Sequence, residues 1–357
     1  MNMNNKNWVS VWGNAVSIAE HHPEAYAKYI TLRYPVYIPF DGDTLRFTFD
    51  NYCGSEAVTV TRATVSAATS PVYEKMPLAC PCKKETICDI TFSKNESVTM
   101  EAHQTAVSDP VSFPVKKGMT LTVSLYFADF TLMQSAVLVT GPLSKGFFSL
   151  GDQTHADALP MDTTKTTNWF YFLSNIELMT AEENHTVICY GDSITAGAWP
   201  DYLTLLAKQN PDNHTAFIRR ATSGSRVLRQ YECITYDSYG LKGTNRFPHE
   251  IPTTGADTVI IQQGINDIIH PIGIETNPFR PMSDLPTAKE LIDGYRYYIE
   301  EAKKLHLKVY MGTLLPIFGW RTYATFRDDL RNELNAWIRS AKEIDGCIDF
   351  DLALRGS

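Results

Sequence analysis

A chain of 357 residues with 44% hydrophobic content exceeds the usual length of one domain and has ample apolar material for packed cores, so two domains are expected. Its formal net charge of −8 comes from interspersed acidic and basic residues, which leaves no electrostatic footprint for nucleic acid or an anionic membrane surface. No segment has the length and apolarity of a membrane-spanning helix, and the start MNMNNKNWVSVWGNAVS lacks the order of a secretory signal, so a cytoplasmic location is expected.

From about Tyr37 to Val139 the chain reads as short β-rich segments broken by turns: DTLRFTFDNY, EAVTVTRATVSAA, ICDITF, ESVTMEA, DPVSFPV and MTLTVSLYF. Leu45, Phe47 and Phe49 alternate with Arg46, Thr48 and Asp50, as a strand with one buried face requires. Strands at this spacing predict an antiparallel sandwich or jelly roll. Within this region CPCKKETIC suggests a metal knuckle, but it lacks a second cysteine pair or a suitably spaced histidine, so its cysteines are read as loop and strand residues. The seven cysteines are an odd set, several of them in apolar runs, and are expected reduced.

A polar passage with some aromatic residues, about Thr163 to Glu183, is read as the connection to a second pattern. There HTVICYGDS is an apolar run ending in a turn, followed by a helical WPDYLTLLAKQ, a strand TAFIRRA and a buried strand DTVIIQQG. An amphipathic helix from Ala288 to Leu305, the strand LKVYMGTLLP, the helix FRDDLRNELNAWIRSAKEI and a final strand CIDFDLAL complete it. Strands alternating with helices predict a doubly wound α/β domain, a parallel sheet with helices on both faces whose chemistry gathers at the strands' carboxyl ends.

Three blocks stand at such ends. Gly191, Asp192, Ser193, Ile194 and Thr195 lie where the first strand of this sheet turns into a helix, placing a serine at the sheet edge beside free amides. A helix cap is the plainer reading of these five residues taken alone. In ATSGSRVL, Gly224 follows the second strand, where a glycine lets backbone approach a ligand and present its N–H; an ordinary turn glycine is the alternative. In VIIQQGINDI a buried strand ends at Gly264, followed by Asn266, a neutral amide donor, and Asp267; a turn or cap again competes.

Together and in this order, the three blocks resemble the SGNH/GDSL hydrolase family, with its GDS, glycine and GxND blocks. The resemblance runs from about Thr186 to the end and extends to WPDYL, SGSRVL, Arg246–Phe247 and IDFDLALR. The preceding region, in WVSVWGNA, GDTLRFTFDNYCGSEAVTV and VSDPVSFPVKKGMTLTVSLY, is similar to the accessory β domain of one esterase branch. The resemblance implies a β-sandwich accessory domain over residues 1–180 and a flavodoxin-like hydrolase domain over residues 181–357. It also implies Ser193 as nucleophile, with the Ser193 and Gly224 amides and the Asn266 side chain holding the oxyanion. The reaction it implies is ester hydrolysis through an acyl-serine, with no metal or organic cofactor, and the substrate is a small molecule or a carbohydrate carrying acetyl or other short acyl groups.

The family's fourth block, DxxH, supplies a histidine base and its orienting aspartate in a loop after the last strand, and from CIDFDLAL, read as that strand, to Ser357 there is no DxxH. The expectation is that this chain is C-terminally incomplete and nearly inactive, whereas one continued past Ser357 is active. His270, three residues past Asp267, is the one candidate substitute and is read instead as a loop histidine before Pro271; Asp349 and Asp351 are read as strand-end residues. A non-catalytic carbohydrate-binding or scaffolding protein is the competing reading, with Trp169, Phe170 and Tyr171 as a sugar-stacking run that more simply serves packing. An acyltransferase on the same scaffold is a third. Oligomeric state and acyl specificity are not legible.

Overall fold

The computed structural model describes residues 6–19 and 26–355; residues 1–5, where the sequence was read for a signal, lie outside it. Its contacts divide the chain into two compact units, one of Met1–Thr186 with Gly197–Arg219, the other of Val187–Ala196 with Arg220–Ser357.

Among its described residues the first unit is all-β apart from the helix Trp199–Lys208 and the 3₁₀ turn Lys84–Thr86. One antiparallel sheet runs in the order Lys6–Gly13, Leu173–Ala181, Gly42–Asp50, with Thr105–Val107 and Val111–Val115 both pairing Gly42–Asp50. The second has six strands centred on Ile30–Tyr37 and Thr120–Phe127. Leu45, Phe47 and Phe49 point inward, as their alternation predicts, into a core shared with Tyr34, Val123 and Leu125 of the other sheet. This is the expected antiparallel sandwich. Phe170 is buried and stacks on Tyr34 with ring centroids 4.8 Å apart, which takes it out of any exposed sugar platform.

Two stretches differ from expectation in this half. The β pattern begins earlier than Tyr37, with Lys6–Gly13 and Ile30–Tyr37. The passage read as a connection contains Leu173–Ala181, a central strand of nine residues. Its polar side chains are buried yet satisfied across the sheet: Asn175 donates to Ser10 Oγ at 2.9 Å, and Glu177 accepts from Arg46 Nε at 2.6 Å.

The second half carries a five-stranded sheet in the order Thr215–Ala221, His185–Gly191, Ala256–Gln262, Lys308–Gly312, Gly346–Ile348, the last three strands pairing in parallel. In chain sequence this order is 2-1-3-4-5, the flavodoxin-like winding, whose direction reverses between the first and third strands. Ser193 follows the first of these and Asn266 the third, so the winding itself puts both at the switch point. The helix Ala288–Lys304 packs with Leu291, Tyr295, Tyr298 and Ile299 buried and begins with a capping box between Thr287 and Glu290. The segment CIDFDLAL, expected as one strand, is a three-residue strand followed by the helix Phe350–Leu354. Asp349 accounts for the break by accepting the Leu352 amide at 3.0 Å, an N-cap inside the apolar run.

Candidate active site

The strand His185–Gly191 delivers the nucleophile block to a tight turn. A Cβ on Gly191 would stand 2.2 Å from the Gln262 carbonyl oxygen, so only glycine lets the first and third strands approach this closely. The Gly191 carbonyl accepts from the Thr222 amide at 3.1 Å and from Arg246 Nη2 at 2.8 Å. Arg246, noted in the sequence only as part of the family-like Arg246–Phe247 pair, thus ties the nucleophile turn to the second strand's end. Buried itself, it is paired with Glu250 at 2.7 Å. Ser193 is exposed at the first position of the one-turn helix Ser193–Ala196.

Asp192 is fully buried; its Oδ1 accepts from the Ile194 amide at 3.0 Å, while its Oδ2 has no hydrogen-bond partner. Burial, with the Asp267 charge nearby, pushes the Asp192 carboxyl up to about 7. Asp267 is also buried and raised to about 6 by desolvation, against the pull of the Val227 and Leu228 amides it accepts at 2.8 and 3.1 Å. Those two bonds hold the loop that carries the glycine block. Gly224 has φ +80°, and a Cβ there would meet the Tyr239 ring at 2.2 Å, so conformation and space both demand glycine. The Asn266 side chain donates one Nδ2 hydrogen to the Ser225 carbonyl at 3.0 Å, which fixes the carboxamide plane and leaves its other hydrogen available.

Ser193, Gly224 and Asn266 line one cavity of about 430 Å3. Ile265, Ile269, Leu315 and Ile317 give it an apolar wall, and Tyr239, His270 and Trp320 complete the rim. The three residues singled out in the sequence are therefore brought to a single surface. His270 is not a solvated loop residue. It closes the helix Ile265–Ile269, is 7% exposed and stacks on Tyr239 at 5.3 Å. Burial, then Arg280, Arg226 and Arg321, hold its imidazole down at about 3, and its Nδ1 has no hydrogen-bond partner. Nothing in the letters around His270 signals this setting, because the rings and guanidiniums that create it come from distant segments. Asp351 lies apart in a cluster of arginines: burial raises its carboxyl, but bonds from Arg355, Arg339 and Arg331 outweigh that and keep it ionised. Among the described residues no disulfide is formed; Cys80 is buried, which raises its thiol to about 12.

An exposed serine beside two potential donors at the switch point of a flavodoxin-like sheet is an arrangement for acyl transfer. Residues 189–357 match the GDSL-like Lipase/Acylhydrolase family model, and this part of the chain is a domain of that family. Among solved structures the chain is similar to a GDSL-like lipase from Bacteroides thetaiotaomicron, 19% identical over 49% of this chain and 73% of that one, with a TM-score of 0.35. It is also similar to family two carbohydrate esterases from Clostridium thermocellum and Cellvibrio japonicus, each 10% identical, covering 97% of this chain and 88% of theirs, with TM-scores of 0.33. No curated protein matches the sequence.

Proposed function

We propose that the protein is a serine-dependent carboxylic ester hydrolase in which Ser193 attacks the acyl carbonyl. The observation that carries this reading is the common cavity of Ser193, Gly224 and Asn266. The oxyanion formed on attack is held by the Ser193 and Gly224 amides and the second Asn266 Nδ2 hydrogen; it collapses with departure of the alcohol, which takes up the serine's proton, and water then hydrolyses the acyl-serine to the carboxylic acid and free Ser193. The apolar wall of Ile265, Ile269, Leu315 and Ile317 suits the acyl group. Short-acylated carbohydrate is the substrate class we favour, because the β region resembles an esterase accessory domain.

His270 is not the base. An imidazole held near 3 stays neutral at pH 7 but is a weak proton acceptor, and the efficiency of a general base follows its pKa. With a serine and donors but no strong base among the described residues lining the cavity, residues 1–357 are expected to turn over slowly, on the order of 10⁴- to 10⁶-fold below a complete triad. The test is acetate release from p-nitrophenyl acetate and from an acetylated oligosaccharide by this chain and its Ser193→Ala variant. Slow release that vanishes in the variant supports the reading. Equal release by both, or tight binding of the deacetylated oligosaccharide with no Ser193-dependent release, favours the carbohydrate-binding alternative.

A further inference from the structure

Two of the three donors attributed to the oxyanion site reside on different segments, the Gly224 amide in the turn after Thr215–Ala221 and the Asn266 side chain in the short helix Ile265–Ile269. Gln263, at the end of the third strand of the sheet, links them. Its Nε2 donates to Ser225 Oγ at 2.9 Å, and its Oε1 accepts from the Tyr298 hydroxyl at 2.7 Å. Its own carbonyl accepts from the Tyr295 hydroxyl at 2.8 Å, so the residue is anchored at both ends to the helix Ala288–Lys304. Ser225 directly follows Gly224, and its carbonyl is the group that orients Asn266 at 3.0 Å. Gln263 and Ser225 are each 2% exposed, Tyr298 is fully buried, and Gln263 does not line the cavity. A buried amide in a satisfied chain of bonds is a stiff strut, whereas the same amide left unpartnered would carry the full cost of desolvation.

We propose that Gln263 is a positioning residue for the oxyanion donors, acting through Ser225 on the Gly224 amide and the Asn266 carboxamide together. The inference rests on the ester-hydrolase reading above. Gln263 selects the glutamine side chain because one end must donate to a hydroxyl oxygen and the other must accept from a phenol, which no hydrocarbon of similar volume can do.

The experiment measures the rate at which a fluorophosphonate modifies Ser193, a reaction whose phosphonyl oxygen occupies the place of the oxyanion. Wild type is compared with Gln263→Met, Ser225→Ala, their double variant and Gln263→Glu. Gln263→Met slows modification roughly 10- to 100-fold, the effect of a misplacement near 1 Å, while the noncovalent Ki of an ester competitor stays unchanged. In the Ser225→Ala background the same change adds less than about 3-fold, because the two residues act as one unit. Gln263→Glu recovers toward the wild-type rate at acid pH, where the buried, protonated carboxyl can still donate to Ser225, and falls away as it ionises. Should Gln263→Met not fold, as judged by circular dichroism, Ser225→Ala and Tyr298→Phe carry the same comparison. Modification of Gln263→Met at the wild-type rate overturns the inference, as does a loss that is additive with Ser225→Ala and equal at every pH relative to wild type. Because no strong base faces Ser193, wild type reacts slowly; absence of any Ser193 adduct even after prolonged exposure at alkaline pH, where hydroxide takes the serine proton, overturns the hydrolase reading and this inference with it.

Discussion

Asn266 lines the cavity and has one amide hydrogen committed to the Ser225 carbonyl. On the proposed reading, replacing it with alanine removes an oxyanion donor, so kcat for ester hydrolysis falls about 10²- to 10³-fold with KM little changed, read from initial rates against ester concentration. His270→Ala leaves the slow hydrolysis within about 3-fold of wild type; a rate abolished by that change would make His270 the base after all. Asp192 gives a pH signature. Its folded-state carboxyl, near 7, lies above the ordinary 3.8 of the unfolded chain. The native state therefore binds the proton more tightly, and this contribution to stability, complete below about pH 3.8, is lost as pH rises through 7. Asp192→Asn keeps an oxygen for the Ile194 amide and removes the titration. Its urea midpoint exceeds that of wild type at pH 8 and approaches it at pH 5; an equal gap at both pH values would mean that Asp192 is ionised throughout. Ser193, Gly224 and Asn266 were legible because each sits in a short block with a fixed place relative to a strand. The settings of Asp192, Tyr239 and His270 were not, since burial and neighbours from remote segments, not local letters, determine them.

At the scale of elements, the same contrast holds. The strand Gly42–Asp50 announced itself by alternation because only one face is apolar-packed. The strand Leu173–Ala181 did not, because Ser174, Asn175 and Glu177 are buried and satisfied by cross-strand partners, which erases the period of two. The helix Ala288–Lys304 was visible from its amphipathic spacing, and its start is fixed by Thr287, whose side chain accepts the Glu290 amide while Glu290 reaches back to the Thr287 amide. Thr287→Ala should cost about 1 kcal/mol, measured as a lowered urea midpoint with unchanged slope. No change would mean that packing of Tyr295 and Tyr298 alone sets this helix.

Over the whole molecule, contacts divide the chain into two compact units, the first including the helix Trp199–Lys208 with the β-rich half, and the second half of the chain carries the flavodoxin-like sheet. Among the described residues no helix is long and apolar enough to cross a membrane. The winding order of that sheet matters more to function than any single side chain, because it brings the ends of its first and third strands together at the switch point and thereby gathers three separate sequence blocks into one cavity. The most direct check is mass-spectrometric mapping of the residue modified by a fluorophosphonate. A single adduct on Ser193, formed slowly for want of a strong base, absent from Ser193→Ala and further slowed in Asn266→Ala, is the predicted result; no adduct after prolonged exposure at alkaline pH, or one on a different residue, would contradict it.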